Sequence, residues 1–274
     1  MQSLPSSPSL DDFWQRLAHC GTGVLLLDYD GTLAPFHEDP AAAVPYPGVV
    51  PLIDRIVEQG RSRVAIVTGR SVVDGLPQLA LHQPVDLWGG HGREHRRADG
   101  SYHAAGIDEA TLKALLEVDG WADQVRAAGG RPERKPGSTA FHWRGLPDAS
   151  VAAIRELLTR QWNAAPEIQF LRWLEFDGGI ELAAPNGRKS DVVNAVLKDA
   201  GDIAAAFLGD DRTDEDGFAA IRGRGIGVLV RPVRRRTAAD VWIRPPDQLL
   251  EFLATWARTL DQCGPARAHS QTLQ

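Results

Sequence analysis

Four apolar residues in an unbroken row, Val24-Leu25-Leu26-Leu27, end abruptly in the polar set Asp28-Tyr29-Asp30-Gly31-Thr32. A run without polar alternation predicts a strand buried on both faces, as in a parallel sheet covered by helices on each side. Pro47 to Gly60 then carries Val49, Val50, Leu52, Ile53, Ile56 and Val57 at helical spacing and stops at a glycine, which predicts a helix. Arg63 to Thr68 repeats the buried-strand pattern and runs into Gly69-Arg70-Ser71; a helix-like stretch from Val72 to Leu81 and a short strand from Val85 to Trp88 follow. This alternation of strand and helix is the order of a doubly wound α/β sheet.

The rhythm then changes. A hairpin from Glu94 to His103, turning at Ala98-Asp99-Gly100, leads to an amphipathic helix over 108–128, a strand from Ser138 to Arg144, a helix from Ala149 to Trp162, and strands at Ile168–Leu174 and Gly179–Leu182. This predicts an α+β unit inserted into the first fold. From Lys189 the first rhythm resumes with a helix to Ala200, a strand from Ala204 to Leu208, a helix from Glu215 to Ile221, strands at Gly227–Val230 and Val241–Ile243, and a helix from Pro246 to Leu260. The expected organisation is a partly disordered N-terminal segment (1–20), a discontinuous core (21–105 and 185–262), an insert (106–184) and a C-terminal tail (263–274).

Composition narrows the classes. With 274 residues, 43% hydrophobic and 24% charged, the chain reads as globular, and no apolar run approaches the roughly 18 residues of a membrane helix. Its net charge of −6 argues against a nucleic-acid or anionic-membrane coat, despite the basic run Arg231-Pro-Val-Arg-Arg-Arg236. Asp11 and Asp12 stand where a secretory leader is apolar, and two widely separated cysteines, Cys20 and Cys263, suit a reducing compartment, so a cytoplasmic location is expected. Only four lysines accompany 26 arginines, which draws attention to Lys189 as a compact point charge at the return from the insert.

Three buried strands end in polar clusters: Asp28 to Thr32, Thr68 to Ser71, and Gly209-Asp210-Asp211-Arg212-Thr213-Asp214-Glu215. Ligands of open α/β sheets sit beyond the carboxyl ends of the strands, so these clusters should converge. So many carboxylates in one place require a cation, and an oxygen-only donor set points to Mg²⁺. Beside a lysine, such a site suits a phosphate dianion. Asp28 can attack phosphorus to form an aspartyl phosphate, while Asp30 protonates the leaving alcohol and later accepts a proton from water.

Taken in order, Asp-x-Asp-Gly-Thr, Thr-Gly-Arg, a lysine after an insert and Gly-Asp-Asp-x-Thr-Asp-Glu resemble the motifs of the haloacid-dehalogenase-type phosphatases. Within them the chain is similar to the trehalose-6-phosphate phosphatases, through Asp28 to Pro35, Gly89 to Glu94, Glu133 to Lys135, Phe141 to Arg144, Ile180 to Leu182 and Gly209 to Phe218. The resemblance spans roughly residues 24–255. It implies that a doubly wound, Rossmann-like core carries an α+β cap, and that the chain hydrolyses trehalose 6-phosphate with Mg²⁺ through an aspartyl phosphate, as the last step of trehalose synthesis. Asp28 is then the nucleophile and a metal ligand, Asp30 the acid and base whose backbone carbonyl touches the metal, Thr68 a phosphate-binding hydroxyl, and Lys189 the cation on the phosphoryl oxygens. Asp210 is implied as a direct metal ligand, with Asp211 and Asp214 in support. Substrate contacts are implied at Gly69, Arg70, His91, Glu94, Glu133, Lys135, Arg144 and Glu181.

Alternatives stay open for several of these. Glu133, Lys135 and Arg144 can equally form a surface ion-pair patch, Glu181 can face solvent, His91 can be a loop residue, and Trp143, Trp162 and Trp173 are expected to pack rather than to stack on sugar. Lys189 is followed by Ser190-Asp191 where the family has glycine, and Ser190 is expected to cap the helix; Arg96-Arg97 also departs from the family hairpin. The substrate can instead be another sugar phosphate, such as sucrose phosphate or glucosylglycerol phosphate, or the chain can be a non-catalytic sugar-phosphate-binding regulatory domain. The expected partner is a small sugar phosphate, with no nucleic acid or membrane; a monomer and a functional pairing with a trehalose-6-phosphate synthase complete the expectations.

Overall fold

The computed structural model describes residues 1–3, 9–37, 42–72, 76 and 79–263. The first part of the chain forms β1 (Gln2–Ser3), α1 (Leu10–Cys20), β2 (Gly23–Leu27), α2 (Val49–Glu58), β3 (Ser62–Val67), β4 (Asp86–Gly89), β5 (Glu94–Arg96) and β6 (Tyr102–Ala104). The insert comprises α3 (Glu109–Asp119), α4 (Ala122–Ala127), β7 (Arg131–Lys135), β8 (Ser138–His142), α5 (Asp148–Ala164), β9 (Arg172–Phe176) and β10 (Gly179–Ala183). The return adds α6 (Lys189–Leu197), β11 (Ala204–Gly209), α7 (Glu215–Ile221), β12 (Ile226–Val230), β13 (Val241–Ile243) and α8 (Asp247–Asp261).

Among the described residues the strands make two sheets, one of nine in the order β1-β13-β12-β11-β2-β3-β4-β5-β6 and one of four in the order β7-β8-β10-β9. The run from β13 to β4 is parallel, and the insert sheet is antiparallel throughout. Strand alternation explains why the central strands must be apolar at every position. Leu25 and Leu27 join Leu17, Ile53, Phe252 and Trp256 on the α1, α2 and α8 side, whereas Val24 and Leu26 join Val193 and Phe218 on the α6 and α7 side. The fold is therefore a doubly wound α/β sheet with an α+β insert.

The sheet winds outward in both directions from β2 and β11, so its crevice opens beyond the carboxyl ends of the central strands. Asp28, Thr68 and Asp210 are the first residues past β2, β3 and β11. The insert stands over this crevice with its own core, in which Val118, Phe141, Ile154, Leu158 and Ile180 are packed. Arg93, itself buried, pins both chain crossings between the two sheets: its guanidinium donates to the Ala105 carbonyl (2.9 Å) and to the Asn186 side-chain oxygen, and its carbonyl accepts the Ala105 N–H (2.8 Å).

The structure corrects several expectations. The segment 1–20 carries a packed helix over its second half. Ser9 caps α1 by accepting the Asp12 N–H (3.0 Å), Gly21 ends it in the left-handed region, and Phe13 and Leu17 are buried against Phe252 and Trp256. The helix expected over 108–128 breaks at Gly120 into α3 and α4. The charged stretch Arg131–Lys135 is an unexpected edge strand, and the strand expected from Ile168 begins only at Arg172 because Pro166–Ile168 forms a tight 3-10 turn. Residues 73–75, 77 and 78 of the expected Val72–Leu81 helix lie outside the described residues, as do residues 4–8 and 264–274 of the two ends.

Because Leu17 is fully buried, Leu17→Ala should destabilise the protein by about 2–5 kcal/mol in equilibrium denaturant unfolding. A loss below 0.5 kcal/mol, on the order of a surface change, would show that α1 does not contribute to the core.

Candidate active site

At the centre of the crevice the Lys189 Nζ, the first residue of α6, donates to Asp28 Oδ1 and to Asp214 Oδ1, each at 2.6 Å. All three side chains are buried. Thr32 donates to the other Asp28 oxygen (3.2 Å). The second Asp214 oxygen accepts the backbone N–H groups of Asp210 (3.0 Å) and Asp211 (2.9 Å), which folds the loop after β11 around that carboxylate. Gly31, at φ +83°, brings its backbone so close to Asp210 that a Cβ there would meet the carboxylate at 2.3 Å, so a glycine is required between the two acidic loops.

Asp28, Asp210 and Asp214 each offer an oxygen within 4.8 Å of the others, and both Asp210 oxygens are buried without a hydrogen-bond partner. Burial pushes the Asp28 carboxyl up to about 7, with Lys189 opposing, and burial followed by the charges of Asp28 and Asp214 pushes Asp210 well above the usual range. Burial disfavours the Lys189 ammonium, but Asp214 and Asp28 together outweigh it and raise its pKa. Three carboxylates facing one ammonium, with two orphaned oxygens, fit a hard divalent cation. Asp28 and Asp210 are the carboxylates placed to hold it, whereas Asp214 is committed to Lys189 and to the loop.

The other core residues divide. Arg70 clasps the Asp30 carboxylate through two hydrogen bonds, 2.7 and 2.5 Å, and lies over the Tyr29 ring. The Thr68 hydroxyl accepts the Arg70 N–H (3.1 Å) at the floor beside Gly69. His91 takes a left-handed conformation (φ 59°), donates its N–H to the Thr68 carbonyl (2.9 Å) and lays its ring on Gly69, where a Cβ would come within 2.7 Å. Glu94, expected at the substrate, is turned away: its carboxylate accepts the Val72 N–H (2.8 Å) and the hydroxyls of Ser71 (3.2 Å) and Tyr102 (2.8 Å). Ser190 does not cap α6 but donates to Asp216 (3.4 Å), and Asp191 accepts the Arg188 N–H instead (3.1 Å). Asp211 accepts the Arg212 N–H (2.7 Å) and, from the insert, the Asp177 N–H (2.6 Å).

Over this floor lies a cleft of about 340 Å³ roofed by the insert. Arg131, Glu133 and Lys135 alternate along β7 and all line it, and in register Glu133 stands opposite Ala140, which stands opposite Glu181. The small Ala140 leaves room between the two carboxylates. Glu133 meets His142 Nε2 at 2.6 Å, while Glu181 accepts from Lys135 (3.1 Å) and lies 3.5 Å from His91 Nε2. Burial alone would raise the Glu181 pKa, but Lys135 and His91 hold it well below the usual carboxylate range, and its Oε1 has no partner. It does not face solvent. Arg144 lines the cleft and stacks on the Phe36 ring at 4.0 Å. Trp162 and Trp173 pack on each other within the insert, whereas Trp143 both packs there and lines the cleft. Arg131, His142 and Phe176 also line the cleft and were not among the expected site residues.

If the acidic cluster holds a cation, millimolar Mg²⁺ or Mn²⁺ should raise the thermal midpoint by a few degrees, reversibly by chelator. Asp210→Asn should abolish that response while raising the metal-free midpoint, because one of three crowded buried carboxylates is gone; an unchanged response would exclude Asp210 as a ligand.

The sequence model for the trehalose-phosphatase family matches residues 26–242. A trehalose-phosphate phosphatase of Mycobacterium marinum is 30% identical over 256 residues, covering 88% of this chain and 63% of its own. A Mycobacterium tuberculosis protein described as an uncharacterized glycosyl hydrolase is also 30% identical, over 96% of this chain but only 20% of its own, so the chain spans part of the length of both relatives. Among solved structures, the C-terminal domain of the Candida albicans trehalose-6-phosphate phosphatase superposes with a TM-score of 0.77 at 20% identity, covering 94% of this chain and 99% of that one. Since the matched stretch runs from the central strand through the insert to the far parallel strand and contains the whole Asp28, Lys189, Asp210 and Asp214 cluster, the chain belongs to the trehalose-phosphatase family.

Proposed function

We propose that the protein is an Mg²⁺-dependent phosphomonoesterase that hydrolyses trehalose 6-phosphate to trehalose and inorganic phosphate. The observation that carries this reading is the buried Lys189 ammonium shared by Asp28 and Asp214, beside the unpartnered carboxylate of Asp210 and beneath a roof of polar side chains. A metal on Asp28, Asp210 and the Asp30 carbonyl would supply positive charge against the phosphoryl oxygens. The names of the phosphatase relatives support the sugar.

The chain's own residues can carry both halves of the hydrolysis. The Asp28 carboxylate attacks phosphorus, the bond from phosphorus to the sugar oxygen breaks, and Asp30 donates a proton to that oxygen, leaving an aspartyl phosphate. Water then attacks phosphorus, Asp30 takes its proton, and phosphate leaves as the Asp28 carboxylate is restored. Lys189 opposes the burial that raises the Asp28 carboxyl, and so favours its ionised form. Arg70 holds both oxygens of the Asp30 carboxylate, and an incoming phosphate would compete with that carboxylate for the guanidinium. Sugar hydroxyls would be recognised by Glu133 and Glu181, each held by a neighbouring base. The reading keeps the expectations of a monomer in the cytoplasm, supplied by a trehalose-6-phosphate synthase.

Phosphate release should be measured on trehalose 6-phosphate, sucrose 6-phosphate, glucose 6-phosphate and p-nitrophenyl phosphate, with Mg²⁺ and with chelator. Metal-dependent preference for the first is expected; preference for another sugar phosphate would keep the chemistry and sink the substrate, and silence on all four would favour a binding domain. Asp28→Asn should lower turnover by at least about a thousandfold while substrate binding persists in calorimetry. Glu133→Gln and Glu181→Gln should each raise KM for trehalose 6-phosphate about tenfold and leave p-nitrophenyl phosphate unaffected, since only the sugar reaches the roof.

A further inference from the structure

The basic run from Arg231 to Arg236 has no part in the chemistry above, yet it packs directly beneath the acidic loop. Arg235 donates to the Asp210 carbonyl from Nε (3.3 Å) and Nη2 (3.2 Å) and pairs with Glu215. Arg231 lies 3.7 Å from Asp210 Oδ2 and also reaches across the cleft mouth, where its Nη2 donates to Asp177 Oδ2 at 2.8 Å. Asp177 and Gly178 form the two-residue turn between β9 and β10.

Two more contacts join the same places. The Asp177 N–H donates to Asp211 (2.6 Å), and Arg212 donates to Glu175 on β9 (2.7 Å). The loop that carries Asp210 and Asp214 is thus gripped from the insert through two direct polar contacts, and through a third by way of Arg231. Their exposure differs from that of the pivot. Arg93, which holds both chain crossings, is 5% exposed, whereas the side chains of Asp177, Glu175 and Arg212 are 44%, 34% and 67% exposed. Half-exposed ion pairs are individually weak and can part and re-form in water, while a buried pivot stays made. A sugar phosphate must enter between the two units, so the mouth is the side that has to open.

We propose that the Asp177-Gly178 turn is a latch that the core grips through Arg231, Asp211 and Arg212, so that closure of the insert and the shape of the 209–214 loop are set together. Arg231, Asp177 and Glu175 are positioning residues: they act on the acidic loop and on the roof, not on the reacting atoms. Coupling of this kind is reciprocal. A metal that orders the loop favours the closed insert, and a sugar that draws the insert down favours the metal. The reactive loop is thereby completed when the roof is in place over a substrate. The kinetic arm of the test rests on the proposed sugar-phosphate reaction, whereas the exchange arm does not.

The test uses the full chain with Asp177→Ala, Glu175→Gln and both together. Hydrogen exchange followed by mass spectrometry should speed up about three- to fivefold in the double variant, in the peptides spanning 175–179 and 209–214 and not in those around Arg93. KM for trehalose 6-phosphate and the half-saturating Mg²⁺ concentration, the latter also read by the thermal midpoint, should rise by a similar factor. Turnover of p-nitrophenyl phosphate at saturating Mg²⁺ should stay constant. Unchanged exchange in the double variant would overturn the latch, and so would an equal fall in both substrates, which marks general damage to the site. If the wild-type protein leaves trehalose 6-phosphate untouched, the functional reading fails while exchange and metal dependence still decide the latch.

Discussion

Everything near the crevice depends on one buried ammonium. The strand ends bring Asp28, Asp210 and Asp214 so close that their mutual repulsion and lost hydration would oppose folding, and Lys189 offsets part of this by contacting two of them at 2.6 Å. The compensation is incomplete: one ammonium in direct contact, and Arg231 at 3.7 Å from Asp210, face three carboxylates. Asp214 is then satisfied by the N–H groups of its own loop, Asp28 by Thr32, and only the Asp210 carboxylate is left without a hydrogen bond, with Arg231 at 3.7 Å as its nearest cation. The polar deficit is thereby concentrated at one side chain that looks into the cleft.

The roof repeats this logic with a different geometry. Along β7 the two-residue period sets Arg131, Glu133 and Lys135 on one face, and register sets Glu133 and Glu181 on either side of Ala140. Each carboxylate has a basic partner, His142 for one and Lys135 with His91 for the other, so the roof can be lined with charge and remain packed. His91 belongs to the core floor and Glu181 to the roof. Their contact makes the left-handed histidine at Gly69 a point where the two units meet, opposite the polar contacts made by Asp177.

Much of the core was legible because a doubly covered parallel strand has to be apolar on both faces, and Val24 to Leu27 and Ala204 to Leu208 each end in a polar cluster. The convergence of Asp28, Thr68 and Asp210 follows from that topology alone. Helix α1 was within reach too, since Ser9 is a capping residue and Phe13 and Leu17 share a face. What escaped was direction. Glu94 stands in a family-like motif beside His91, yet strand alternation turns it onto the Val72 N–H rather than into the cleft. Ser190 looked like a cap, yet the helix start places Asp191 at the backbone N–H.

By itself the sequence determined which residues end the buried strands, and hence that carboxylates, a lysine and a Thr-Gly-Arg turn would share one crevice, because strand burial and winding order are written in local apolar patterns. Only the tertiary structure decided how those charges are apportioned. Asp214 anchors the loop, Asp210 stands open, Arg70 clasps Asp30, and a basic run far along the chain reaches the turn of the insert. Such pairings depend on distances of a few ångströms between segments remote in sequence, and the Coulomb and hydrogen-bond energies that select among them vary steeply over that range.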